Sequence, residues 1–416
     1  MDGIGKKVRC LITLLWLVMS SFAYGRELRM LYMAQAGYQP SHIVQRARSF
    51  EQETGIAVHL SFVEYEDQYK LIVESAAKER ADYDIILEDI IWTAEFAERR
   101  IIDPVPPELV QEVERGIVPE ISSAFMYDDT LWAVPFLANF QLMYSNMELL
   151  QQAGYSEPPD TLEELVEIAS KAKEQGVIEY PIFLPLRKQE ALICVFVWLT
   201  GSFGGGLSNE DGEIDVDNAA SRRALSFLVD MLNRGLLNPF SLQQEEVFAA
   251  EAFTWGDALF TMNWTFVTGL MREKHRPIYG AGRASLIPPA RTVLEEGGRS
   301  STVSGFQGLS VTRNSANKDA AWRFIRYLSS PDFQRKHLEE MSVWREVWGE
   351  ERTFQKDPDI SLKMEQIAGV RNRPIHPQYR KVSLHLQHWI YEALRGEVSP
   401  SAALERAREE IEGLSD

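Results

Sequence analysis

The sequence predicts an α/β protein built on a doubly wound parallel sheet, with chain enough for a second lobe. Three observations lead there. From residue 28 onward, apolar runs of strand length alternate with amphipathic runs of helix length, in the order β-α-β-α-β. That order implies parallel strands with helices laid on the sheet faces. A later apolar strand, Trp132 to Phe136, is broken by a small polar patch, residues 138–141, and resumes at Leu142, Met143 and Tyr144. A strand broken in this way can serve two sheets, with Asn139 in the cleft between them; the same pattern also fits strand, loop and strand inside one domain. Finally, 416 residues suffice for two or three domains of ordinary size.

The elements follow in order. Residues 28–33 form the first strand. After the loop 34–39, Pro40 opens a helix, because proline suits the first helical turn. Ile43, Val44, Ala47 and Phe50 make its buried face, and Gly55 ends it. Ile56, Val58, Leu60 and Phe62 alternate with His59 and Ser61, the period of a strand. A helix over 65–80 and a short apolar strand over 83–87 complete the unit, with a further helix over 90–99. Ligands of such sheets sit beyond the carboxyl ends of the strands. This puts the loop from Gln35 to Tyr38 and the pair Glu88 and Asp89 on one rim.

Beyond the polar patch, Gly154 stops a short helix that begins at Met147. Thr161 and Glu164 form a capping box ahead of a helix whose apolar face is Leu162, Leu165, Val166, Ile168, Ala169 and Ala172. Further helices are expected over 219–233 and 247–253. Residues 291–299 read as a polar hairpin tip. The region 333–414 reads as helical except for a loop over 371–378, which holds Pro374 and Pro377.

Hydrophobic content of 45% and charged content of 25% belong to a soluble globular chain. The net charge of -18 argues against nucleic acid or an anionic membrane as a partner, since both need a basic patch. Residues 1–25 read as a secretory signal. Lys6, Lys7 and Arg9 precede an apolar run over 10–22, and Ala23, Tyr24 and Gly25 supply small residues near a cleavage site. Cleavage takes the charge from -18 to about -20. Of the two cysteines, Cys10 leaves with the signal and stands in the wrong place for lipid attachment, so a soluble protein without a lipid anchor is expected. Cys194 remains as a lone buried thiol with a packing role.

No catalytic set stands out. The seven histidines are scattered, apart from His385 and His388 on a C-terminal helix, which lack an acidic third ligand, so no metal site is expected. The glycine-rich run 201–206 (GSFGGG) lacks the Lys-Ser/Thr of a phosphate loop and reads as a flexible turn. Glu88 and Asp89 are adjacent on a strand and point to opposite faces, which does not suit two carboxylates flanking one glycosidic bond. No cofactor is expected.

Several segments resemble the extracellular solute-binding proteins of ABC importers, in the sugar-binding branch that includes the maltose/trehalose-binding type. Val134-Pro135-Phe136 followed by Tyr144-Ser145-Asn146 is similar to the first crossover of that family. Gly154-Tyr155, then Pro158-Pro159-Asp160-Thr161, continue the likeness. So do Asp84, Asp89, Trp92, Phe96 and Ile102-Asp103-Pro104, with Arg100 where the family has glycine. Trp255 to Trp264, Ser285 to Pro289 as a second crossover, and Gly305 to Val311 with the helix after it complete the order.

The resemblance implies a two-lobe periplasmic-binding-protein fold (type II), each lobe a doubly wound, mainly parallel sheet. The lobes would be 26–137 with 289–329, and 138–288 with 330–416, joined by crossover hinges. It implies a periplasmic monomer that captures a mono- or short oligosaccharide and delivers it to permease subunits in the inner membrane, with no enzymatic activity. A sugar presents hydroxyls in its ring plane and an apolar face, which amides, carboxylates, guanidiniums and aromatic rings can meet. The candidate contacts are Gln35, Tyr38, Glu64, Asp89, Asn139, Trp255, Trp264, Gly305, Phe306, Trp344, Arg345 and Arg373. Trp344 and Arg345, with Trp348, lie in a polar segment where the family carries an arginine loop, and Arg373-Pro374 resembles another. A polyamine, a metal chelate or another small solute on the same scaffold, and a secreted glycoside hydrolase, are the alternatives.

Overall fold

The computed structural model describes residues 27–34, 37–209 and 211–415. The expected signal segment 1–25, with Cys10, and the candidate residue Gln35 lie outside them. The chain separates into two compact units.

The first unit comprises the described residues up to Leu87, with Ile101–Asp103 and Leu309–Phe333. It opens on β1 (Glu27–Met33), α1 (Pro40–Thr54), β2 (Ala57–Val63), α2 (Tyr65–Ala76) and β3 (Ile85–Asp89), the alternation expected. The strands are parallel: Met30 pairs with Leu60 on one side and Ile85 on the other. The order is β2-β1-β3, with the strand Gln307–Val311 next to β3. Gly55 closes α1 at φ 72, a left-handed turn that glycine adopts without penalty. Helix α2 stops short of residue 80 because 77–80 are exposed and have no apolar face to bury. Strand β3 runs two residues past the expected end. Asp84 is drawn out of it instead: its carboxylate accepts the Arg29 amide at 2.9 Å and the Ser315 hydroxyl at 2.6 Å.

The second unit comprises Glu88–Arg100, Pro104–Gly308 and Gln334–Asp416. Its sheet has three strands, Phe260–Trp264, Gln141–Asn146 and Gly282–Ser285 in that order, and both pairings are antiparallel. The mainly parallel sheet expected for this part is therefore replaced by an antiparallel ladder, flanked by isolated parallel bridges at Ile182. More than a hundred residues separate the strands at 141–146 and 260–264, and a connection that long lets the return strand run either way.

In the same core lies the helix Glu190–Ser202, buried on every side from Ala191 to Ser202. A helix apolar all round belongs in a core. Cys194 sits within it at 2% exposure, and burial pushes its thiol well above the usual range, in keeping with an inert packing role. The capping box forms, with the Thr161 hydroxyl accepting the Glu164 amide at 3.2 Å.

Residues 291–299 are not a hairpin tip. Arg291–Glu295 is a helix, held because the Glu163 carboxylate accepts the Arg291 amide at 2.9 Å and Val293 packs into the core. The loop expected from residue 371 begins with a short strand, Val370–Arg371, parallel to Thr302–Val303. Among the described residues, no helix is long and apolar enough to cross a membrane.

Candidate binding site

Asp89 lies where β3 gives way to the helix α3 (Ile90–Glu98), and its Oδ1 accepts the Ile91 amide at 3.1 Å. The same oxygen accepts Arg373 Nη2 at 2.9 Å. Arg373 Nη2 also donates to the Ser304 carbonyl at 3.3 Å, and Nη1 donates to Glu190 Oε1 at 3.1 Å. Glu190 in turn accepts the Tyr379 hydroxyl at 2.5 Å and the Ser383 hydroxyl at 2.6 Å. Asp89 is 6% exposed and Arg373 3%. Burial opposes the charge on Arg373, but the flanking carboxylates outweigh it and hold the guanidinium protonated.

The chain then runs directly to a second group. The Gly305 amide donates to the Asn139 carbonyl at 2.8 Å, and Asn139 Oδ1 accepts the Thr265 hydroxyl at 3.0 Å. The Trp264 ring lies against Gly305: a Cβ there would stand 2.6 Å from the ring, so no larger residue fits without moving it. Trp264 Nε1 donates to Glu246 Oε1 at 3.4 Å, and the Asn263 amide group donates to the Glu246 carbonyl at 2.8 Å. Burial pushes the Glu246 carboxyl up. Phe306 is fully buried, and its carbonyl accepts the Ile90 amide at 3.3 Å.

Asp89, Asn139, Trp264, Gly305, Phe306 and Arg373 are thus linked in one polar and aromatic constellation. The other candidates are placed differently. Tyr38 is 1% exposed and packs edge-on against Phe333 at 5.0 Å. Glu64 is exposed at the head of α2. Trp255 is 52% exposed and donates to Glu251 Oε2 at 3.0 Å. Trp344 is buried with its ring over Gly116, and Trp348 is buried with its indole on the Ser342 carbonyl, so both rings are used in packing despite their polar surroundings in sequence. Arg345 is exposed and reaches the Arg115 carbonyl at 3.4 Å. His385 faces Glu410 and His388 faces Lys188 on the surface.

Two residues of the constellation escaped sequence reasoning. Glu190 carries a legible signal, a carboxylate at the head of an otherwise apolar helix. Glu246 carries none, since its partner Trp264 is eighteen residues away.

Residues 45–347 match the sequence profile of the bacterial extracellular solute-binding protein family. The chain belongs to that family. This solute-binding protein is 23% identical over 380 residues to a Deinococcus radiodurans protein named "Probable ABC transporter-binding protein", covering 86% of each chain. It is 24% identical over 331 residues to a Sinorhizobium fredii protein named "Probable amino-acid ABC transporter periplasmic-binding protein", covering 75% of this chain and 70% of the other. Among solved structures, maltose-bound MalE3 of T. maritima matches with a TM-score of 0.83 at 24% identity, over 94% of this chain and 100% of that one. A Thermotoga lettingae solute-binding protein bound to tagatose matches at 0.81 and 21% identity, over 93% and 99%. These likenesses show the two-lobe α/β fold of periplasmic binding proteins. The family implies a small-molecule ligand, a membrane permease as partner and a periplasmic setting.

Proposed function

We propose that this protein captures a mono- or short oligosaccharide and presents it to the permease of an ABC importer. The observation that carries the reading is the Trp264 ring seated on Gly305, with Glu246 on its indole N–H and with Asn139, whose carbonyl accepts the Gly305 amide, presenting its side-chain amide at Thr265. An aromatic plane bordered by a carboxylate and an amide meets both surfaces of a sugar. Trp264, Glu246 and Asn139 would contact the ligand, and Asp89 and Arg373 would hold the loop at Ser304. The reading is supported by fold neighbours bound to maltose, to tagatose and to ribitol, and by a Pyrococcus abyssi relative named as maltotriose-binding.

In this reading the lobes are 26–137 with 289–329 and 138–288 with 330–416, and they close on the ligand about the crossovers at 137–141 and 287–289. Closure is driven only by the ligand's extra affinity for the closed state. The protein acts as a secreted, soluble monomer without a lipid anchor, and it returns the sugar unchanged.

A thermal-shift screen against sugars, polyamines and amino acids tests this, because a ligand bound only by the folded chain raises its melting temperature. A sugar should do so in a concentration-dependent way and be recovered intact by chromatography. A shift with a polyamine or an amino acid and with no sugar overturns the sugar reading; a cleaved sugar overturns the non-enzymatic one.

A further inference from the structure

A pocket of about 380 Å³ opens within the second unit, and none of Asp89, Asn139, Trp264, Gly305 or Arg373 lines it. Three separate pieces of chain build it: the glycine-rich run that begins at Gly201, the segment 296–301, and the segment 368–371. Glycine lets these pieces meet at close quarters. A Cβ on Gly201 would stand 1.9 Å from Ser301 Oγ and 3.2 Å from Arg371 Cγ, and one on Gly369 would stand 1.9 Å from the Ser300 carbonyl. The glycine run, which lacks the Lys-Ser/Thr of a phosphate loop, thus forms one wall of this pocket.

Arg299 and Arg371 both line the pocket, both are exposed, and neither has a carboxylate partner among the described residues. Some arginines elsewhere are engaged by carboxylates, as with Arg222 and Asp217, Arg276 and Glu251, or Arg335 and Glu350. Ser301, 2% exposed, also lines the pocket, and its hydroxyl makes no hydrogen bond. Glu296 is the one carboxylate on the lining. Two guanidiniums against one carboxylate leave a single net positive charge at the pocket of a protein whose net charge is -18. The long-range field of such a protein repels anions, so any anion held here is held by local contacts.

We propose that this pocket is a second binding site, for a small anion of carboxylate or phosphate chemistry, gripped by Arg299 and Arg371. Guanidinium presents paired N–H donors that match both oxyanions. The single net positive charge favours a ligand with one anionic group over a polyanion. Arg371 belongs to the two-stranded ladder with Thr302–Val303; Ser304 of the proposed sugar site follows one strand directly, and Arg373 follows the other after Asn372. An anion in the pocket therefore rests on the same ladder as the sugar site.

The test is titration calorimetry on the purified chain at low salt, with inorganic phosphate in one arm and acetate in the other. At least one should bind at one site per chain with a dissociation constant of about 1 mM or tighter, and added chloride should weaken it. Binding in the phosphate arm alone identifies a phosphoryl group as the ligand chemistry; binding in the acetate arm alone identifies a carboxylate. The double variant Arg299→Gln and Arg371→Gln alters two exposed side chains, should melt like the parent, and should weaken binding at least about tenfold. Glu296→Gln, which removes the opposing charge, should tighten binding. No binding of either anion up to about 50 mM overturns the proposal, as does binding that neither the double variant nor Glu296→Gln changes.

Discussion

Arg373 and Asp89, 284 residues apart in sequence, share a hydrogen-bonded ion pair of 2.9 Å with both side chains almost wholly buried. A second carboxylate, Glu190, completes the hold on the guanidinium. Asp89→Asn keeps the shape of the side chain and leaves Arg373 with one carboxylate in place of two. Removing one partner of a buried pair strands the other, so the unliganded variant should lose about 2–4 kcal/mol in urea unfolding. Unchanged stability together with lost ligand affinity would instead assign Asp89 to direct ligand contact.

Trp264 and Gly305 define the aromatic platform. Trp264→Ala should weaken sugar binding about ten- to a hundredfold by calorimetry, with a native circular dichroism spectrum. If the unliganded variant does not fold, the ring is core and not platform. Gly305→Ala should act through the same ring, because its Cβ would stand 2.6 Å from the indole and push it aside. That overpacking should cost about 1–3 kcal/mol of stability, and the affinity should fall with it.

Glu340 sets a pH dependence. Burial raises its carboxyl to about 7 despite the nearby Lys363. In the unfolded chain the group has its ordinary value, so between about pH 4.5 and pH 7 the unfolded state releases a proton that the folded state keeps. Glu340 therefore costs nothing below that window and its full penalty above it. Since the residue is only half-buried, the penalty is set at about 1–2 kcal/mol. Glu340→Gln should match the parent in stability at pH 4 and exceed it at pH 8. Parallel stability-versus-pH curves for the two proteins would refute this.

Arg100 stands at φ 54, in the left-handed region, where a side chain other than glycine is strained. It caps the turn after α3 and is exposed. Arg100→Gly should relieve that strain and stabilise the protein by up to about 1 kcal/mol, read as a higher urea midpoint at constant slope. A lower midpoint would mean that the entropy of the unfolded glycine chain outweighs the strain.

Much of the molecule was written in local pattern. The proline that opens α1, the glycine that closes it, the Thr161 cap and the helix at 219–233 all follow from interactions a few residues apart, and the structure has each of them. The parallel β1–β2–β3 unit follows because its connections are short and have one economical handedness. The likeness to the solute-binding family rested on a series of such local pieces in order. The direction of the strand Phe260–Trp264, the ladder between Thr302–Val303 and Val370–Arg371, and the meeting of Glu246 with Trp264 or Arg373 with Asp89 were decided only in three dimensions. The entropy of closing a loop grows only with the logarithm of its length, so separation along the chain says little about which distant partners meet. Packing of the whole core selects them, and no stretch of sequence contains that core by itself.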